Sequence, residues 1–425
     1  MDGEELAWAY VRLGLRLDRL LPGVLDAHLG DPADAARVAD EPRPDPDDLA
    51  READRLHAAL GDAGLSPDRV AFLDGQLRAC RTLADRAGGR VVGFVDEVER
   101  CFGVRVARGD EDRYREAHRA LDALLGGRGS LHERLAAFRD DDRVPPEQLA
   151  VALEASLAAL QARTDAVLGL PAGESVDLEV VPSAPWSGFS RRVGPLRSVV
   201  SVNAGAGHRR THLPLLVAHE AYPGHHTEHC RAEARARSGP SRPERAILLA
   251  RTPQSLVAEG AAELGLEVVV GPGWGRWHAG VLAAAGVAAD PERAAVGEAL
   301  ETVMVGLAEV RQDAALMLHA EGRPTADAAE HLRRWLLVDE ARARRMLEFL
   351  SHPRWRTHTT TYVEGVRLLR PWLAAGGEEP VTARFARLLD DAPAPSLLRA
   401  PVPALPAGLS AGPAGLPARG VPSGA

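Results

Sequence analysis

The sequence predicts a mainly α (α+β) fold, a large helical body with a small sheet beside one central helix. Three observations carry that expectation. Apolar residues recur every three to four positions through most of the chain, one stretch between 175 and 203 alternates instead, and 425 residues with 45% hydrophobic content suffice for one large core or two moderate ones.

The helices begin at once. Leu6, Tyr10, Leu13, Leu17 and Leu20 share one face and stop near Pro22-Gly23. Such a face needs packing partners, and residues 49–60, 66–83, 114–125 and 146–168 supply them, with Ser66 as an N-cap and Pro67 in the first turn. Between 175 and 203, Val176, Leu178 and Val180 alternate with polar residues, and a second run from Ser198 to Val202 follows a Pro/Gly/Trp loop, which reads as strands. Helical periodicity resumes at Leu213 and continues to about Leu373, broken at Gly239-Pro240 and at Gly271-Pro272-Gly273. The expected division is a helical part over 1–170, a part over 171–391 continuous with it that carries the candidate chemistry, and a Pro/Ala/Gly tail over 392–425. The tail is expected to be disordered, because its composition cannot bury enough surface to offset chain entropy.

Charge and cysteine usage exclude several classes. The net charge is -9, with arginines and acids interspersed along helical stretches, so the charged residues read as solvated surface and no nucleic-acid partner is expected. Charged residues interrupt each apolar run short of a membrane span, so no membrane partner is expected. The opening Met1-Asp2-Gly3-Glu4-Glu5 lacks a signal pattern, and three dispersed cysteines make no disulfide framework, so a cytoplasmic location is expected. Oligomeric state is left open.

The chemistry concentrates in His219-Glu220-Ala221-Tyr222-Pro223-Gly224-His225-His226. His219-Glu220 follows an apolar run, as the first ligand and general base of a zinc-hydrolase helix do. Zinc lowers the pKa of a bound water toward 7, and the adjacent carboxylate takes its proton as the oxygen attacks a carbonyl. The usual second histidine stands four residues after the first, but here that position is Pro223. In an unbroken helix His225 would lie on another face and His226 about 10 Å along the axis, so neither would reach an ion held by His219. Pro223 and Gly224 suit a bulge that absorbs two surplus residues and returns His225 to the ligating position, with His226 as the alternative. Glu259 is the expected third ligand. Gly260, Ala261 and Ala262 beside it are expected to let its helix approach that of His219, with Glu263 accepting the free N–H of a ligating histidine. The expected cofactor is one zinc ion, while His208, His212 and His229 are given no role.

These residues resemble a widespread bacterial family catalogued as domain of unknown function 885, recognised by a His-Glu-x-x-Pro-Gly-His-His segment. The resemblance continues through Glu259-Gly260, Arg311-Gln312-Asp313 with His319 and Gly322, and Tyr362-Val363-Glu364-Gly365 followed by Leu368-Leu369-Arg370. It implies a zincin-like helical body, a glutamate as third ligand and hydrolysis of peptide or related amide bonds. Where the family carries aromatic residues after Glu-Gly, this chain has Ala261 and Leu264, so the pocket wall departs from the pattern.

Further roles follow from this segment. Tyr362, read as part of a loop opening the last helix, is either a donor to a developing oxyanion or a core residue. His319 is a second candidate for that electrostatic role or a buried histidine oriented by Asp313, and Arg311 is either a surface cation or an anchor for a substrate carboxylate. Val200 and Asn203, on the strand before the His219 helix, are candidates for binding an extended substrate through the main chain, or else ordinary core positions. The expected function is zinc-dependent hydrolysis of peptide or small amide substrates, with Glu220 as base. The alternative is a catalytically inactive helical scaffold that retains a metal site.

Overall fold

The first helix, Gly3–Leu20, shows how local sequence and burial cooperate. Asp2 caps it by accepting from the N–H groups of Glu4 and Glu5, and Glu5 reaches back to the Asp2 N–H, so orphan donors at the helix start are satisfied. Of its predicted face, Leu6, Tyr10, Leu13 and Leu17 are fully buried and Leu20 is half-buried. That face packs on Pro46–Ala59 and Pro67–Ala87, the helices expected to cover it. The computed structural model describes residues 1–184, 186–238 and 241–399, and helices dominate it.

The predicted alternation gives β2 (Ser175–Val181), β3 (Gly188–Gly194) and β4 (Arg197–Asn203), placed after a short β1 (Leu25–His28) and before β5 (Ile247–Leu249). β4 is central, parallel to β2 and antiparallel to β3, so β3 is an edge. β1 and β5 pair antiparallel as a separate ribbon. That ribbon was not anticipated: strands of four and three residues are too short to display a period, and β5 lies inside a stretch read as helical.

One apolar cluster runs from Leu6, Leu73 and Phe102 to Leu256, Leu316 and Leu347, so residue 170 does not divide two cores. Beyond residue 391, Pro395–Leu398 form a short helix and Leu398 is buried beside Phe385 and Leu389. The packed body therefore extends to 399, past the expected boundary, because apolar side chains there find a groove that composition cannot reveal. The rest of the expected tail, 400–425, and the Gly239-Pro240 break lie outside the described residues. Among the described residues, no helix is long and apolar enough to cross a membrane.

Two crossings position the site. Helix Pro253–Val269 meets helix Thr359–Ala374 where Gly260 faces Gly365, and a Cβ on Gly260 would stand 2.6 Å from the Gly365 carbonyl carbon. Gly260 thus serves the approach to the Tyr362 helix, not to the His219 helix as expected. Gly265 makes room for Pro223, where a Cβ would meet the ring at 2.7 Å. Tyr362 lies in the first turn of its helix rather than in a loop, and Val381–Asp391 follows, so that helix is not the last.

Candidate metal centre

Leu213–Glu220 buries Leu213, Leu216 and Val217 and ends with His219 and Glu220. The ladder stops with Ala221 N–H donating to Val217 O at 2.9 Å; the Tyr222-Pro223 peptide is cis, and Gly224 N–H then donates to Ala218 O at 2.8 Å. A new helix, His225–Ser238, starts immediately. The expected bulge is therefore a full stop and restart. A Cβ on Gly224 would lie 1.9 Å from the His219 carbonyl oxygen, so the fold at that point admits only glycine.

The restart brings His225 back onto His219. Their Nε2 atoms lie 3.2 Å apart, with the rings near perpendicular at 88°. Glu259 Oε2 sits 3.3 Å from His219 Nε2 and 3.7 Å from His225 Nε2. Among the described residues, these three form a group whose ligand atoms all lie within 4.8 Å of one another. Two observations test whether an ion fits. Glu259 Oε2 is buried without a hydrogen-bond partner. A tetrahedral ion bonded at about 2.0–2.2 Å keeps its ligand atoms roughly 3.3–3.6 Å apart, close to all three separations. The donor set of two imidazoles and a carboxylate, with side chains 11–17% exposed, leaves an approach from solvent.

Surrounding groups tune these three. Glu263 Oε1 lies 3.4 Å from His219 Nδ1, within ion-pair reach of the ring nitrogen that does not face the other two ligands. Burial alone would raise the Glu259 carboxyl, but His225, His219 and His358 outweigh it and hold it well below the usual range. Glu220 behaves oppositely. Burial raises its carboxyl, with Glu259 adding to the effect and His219 and His225 opposing, and its Oε1 faces Gly188 on the edge strand β3.

Tyr362 stands beside His219, ring centres 6.0 Å apart, and its hydroxyl is 3.1 Å from His358 Nε2. His358 in turn lies 3.6 Å from Glu259 Oε1. Sequence reasoning missed His358, although its spacing of four from Tyr362 places both on one helix face. Asp26 on β1 was also missed. It lies 3.4 Å from His229 and within electrostatic reach of His225 and Glu259, and no local sequence signal marks it.

The alternative ligand faces away from the centre. His226 is fully buried, with Nδ1 2.8 Å from Ser198 Oγ and Nε2 2.8 Å from Glu174 Oε2. Tyr222 donates to the same Glu174, Gln161 bonds its other oxygen at 2.7 Å, and Cys230 lies against the His226 ring. This sealed network ties the restarted helix to β4. Its Glu174 sits alone before β2 and gave no signal in sequence.

Other expectations fail on geometry. His319 donates from Nε2 to the Leu350 carbonyl oxygen at 2.8 Å and stacks on Phe94, away from the centre. Asp313 does not orient it. Asp313 accepts from Gly109 N–H at 2.7 Å and the Tyr114 hydroxyl at 2.9 Å, which pins a distant loop. Val200 is 1% exposed on the central strand, where both backbone edges are already paired, and Asn203 spends its amide on the carbonyls of Ala184 and Trp186. Neither is free to bind a substrate strand; the unpaired edge near Glu220 belongs to β3. Arg311 is exposed and within electrostatic reach of the Tyr362 hydroxyl.

No family model matches the chain, and no curated protein does. Among solved structures, the "putative lipoprotein" from Colwellia psychrerythraea is similar with a TM-score of 0.51 and 14% identity, over 83% of this chain and 68% of that one. A "putative lipoprotein of unknown function" from Shewanella oneidensis gives 0.50 and 13% identity, over 83% and 71%. At such identities the likeness is one of fold.

Proposed function

We propose that this protein is a zinc-dependent hydrolase of peptide or related amide bonds, with His219, His225 and Glu259 holding one ion. The observation that carries the reading is the convergence of two imidazole Nε2 atoms and an unpartnered buried carboxylate oxygen beside the raised carboxyl of Glu220. The resemblance to the domain of unknown function 885 family, carried by the same residues, supports it.

Zinc bound there would supply a polarised water and a Lewis acid for the scissile carbonyl. Glu220 holds the proton that the attacking water must lose. Its burial raises the carboxyl above the usual range, which strengthens it as a base and suits it to return the proton later to the leaving nitrogen. Glu263 fixes the orientation of the His219 ring. Tyr362 and His358 bond each other beside Glu259, and with the His358 Nε2–H donating to the phenol oxygen the Tyr362 O–H is free to donate to an oxyanion. The edge strand β3 offers main-chain groups to an extended peptide.

The test measures zinc content and peptide-library cleavage for wild type and His219→Ala. Wild type should carry one zinc per chain and cleave peptides, and His219→Ala should lose both with its fold intact. A folded wild-type protein that binds no zinc would overturn the reading. Zinc-loaded protein inert on peptides but active on another amide or ester would replace the substrate while keeping the hydrolase. Zinc-loaded protein inert on all of these would favour the inactive scaffold.

A further inference from the structure

Aromatic residues are only 4% of the chain, yet Phe349, Trp355 and Tyr362 fall within one short stretch that ends at the candidate centre. Helix Glu340–Ser351 turns Ala343, Leu347 and Leu350 into the core and leaves Phe349 outside it, 37% exposed. A phenyl ring off the apolar face of an amphipathic helix is not accounted for by that helix's own packing. The segment after the helix supplies its neighbours. Trp355, half-buried, lies nearly parallel to Phe349, at 7° with ring centres 6.2 Å apart. His358 meets both rings steeply, 5.8 Å from Trp355 at 67° and 6.4 Å from Phe349 at 65°.

These rings join the metal centre through direct contacts. His358 stands 5.2 Å from the Tyr362 ring and 3.6 Å from Glu259 Oε1, and the Tyr362 ring stands 6.0 Å from that of His219. The result is a corner of aromatic faces that starts beside the candidate ligands and opens to solvent at Phe349. Ala261 and Leu264, which follow Glu259-Gly260, are packed in the core with Leu369 and Phe385, so they do not line it. Charge narrows what the corner accepts. The Arg354 guanidinium lies over the Trp355 ring at 4.6 Å, so the cation that an aromatic face attracts is already in place and a second would be repelled by it. An uncharged ring meets no such repulsion and packs on Phe349 and Trp355 in offset or edge-to-face fashion.

We propose that Phe349, Trp355 and His358 form the specificity pocket of this centre, a corner that takes an uncharged aromatic side chain from a residue flanking the scissile bond. The inference rests on the hydrolase reading for the bond that is cleaved, while ring binding stands on the geometry alone. The Tyr362 hydroxyl, placed to donate to an oxyanion, is 3.1 Å from His358 Nε2, so a carbonyl held there has its neighbouring side chain beside the corner.

Three capped hexapeptides test this, all alanine except for Phe, Lys or Ala at the third position. On zinc-loaded wild type, kcat/KM should be about ten- to a hundredfold higher for the Phe peptide than for the alanine one, the range for burying most of a phenyl ring. Mass spectrometry should locate the cut beside Phe. The Lys peptide should stay within about threefold of alanine, because Arg354 opposes a second cation. Fluorescence anisotropy of the labelled peptides on Glu220→Gln protein, both zinc-loaded and chelated, should give the same order without turnover. Phe349→Ala, an exposed change, should reduce the ring preference to about threefold or less and leave the alanine peptide within about twofold of wild type, and Phe349→Tyr should keep the preference. Equal treatment of the three peptides, a Lys preference, or a Phe preference that survives both Phe349→Ala and Trp355→Leu, each made singly, overturns the pocket. Ring-selective binding by protein that cleaves none of the peptides keeps the pocket and removes the hydrolase reading, whereas cleavage without ring selection does the reverse.

Discussion

His225 and His226 stand side by side at the start of one helix, yet one faces a cleft and the other a sealed network. His225, 17% exposed, meets His219 and a carboxylate oxygen with no other partner. His226, fully buried, has both ring nitrogens occupied by Ser198 and Glu174. A histidine whose hydrogen bonds are complete stabilises the fold, and one that meets only another imidazole nitrogen and an otherwise unpartnered carboxylate oxygen is placed to hold an ion. The sealed side is what holds the restarted helix against β4, and so sets the direction of His225.

The contrast is broken most directly by exchanging the consequences of the two sides. Glu220→Gln should leave zinc content and the unfolding midpoint unchanged and lower kcat by about a hundred- to ten-thousandfold, the usual worth of a general base. Wild-type turnover in that variant would remove Glu220 from the reaction.

Tyr362→Phe comes next. If the hydroxyl donates in the transition state, kcat should fall roughly tenfold to a thousandfold with KM little changed. Among the described residues, its hydroxyl bonds to His358 alone. A loss of about 1 kcal/mol of stability with kcat intact would instead mark a structural hydroxyl.

On the sealed side, His226→Leu should cost roughly 2–3 kcal/mol in a denaturant titration, because Glu174 loses the partner that helps hold its charge against burial. Zinc loaded into the folded variant should still support turnover. A variant with an unchanged midpoint and abolished zinc binding would mean that His226, not His225, is the ligand.

The smallest effect concerns another sealed histidine. His278, bonded to Ser156 Oγ at 2.8 Å, is pushed down to about 4 by burial. Unfolded histidine titrates near 6.5, so between these values the unfolded chain binds a proton that the folded one refuses, and stability falls as pH drops from 6.5 toward 4. At pH 5.5 this group alone should cost about 1 kcal/mol relative to neutrality. His278→Asn should make the acid side of the stability curve shallower; an unchanged slope would mean that the imidazole is not sealed.

The helical body, the sheet between 175 and 203 and the segment 219–226 were legible in sequence because each depends on a local pattern: a period, an alternation, or a ligand spacing interrupted by proline and glycine. Counting residues around Pro223-Gly224 favours the return of His225 and leaves His226 as the alternative. What sequence could not supply depends on contacts between segments far apart. Gly260 faces Gly365, Glu174 pairs with His226, and His358 leans on Glu259. His319 and Asp313, neighbours of motif residues along the chain, are carried away from the centre by the same logic, since their helix directs them to Leu350, Gly109 and Tyr114. A side chain's neighbours along the chain determine its element and face. Which partner stands opposite, and hence whether an imidazole is sealed or left open to an ion, is decided by packing between elements, where burial makes each unsatisfied polar atom cost more than any local preference.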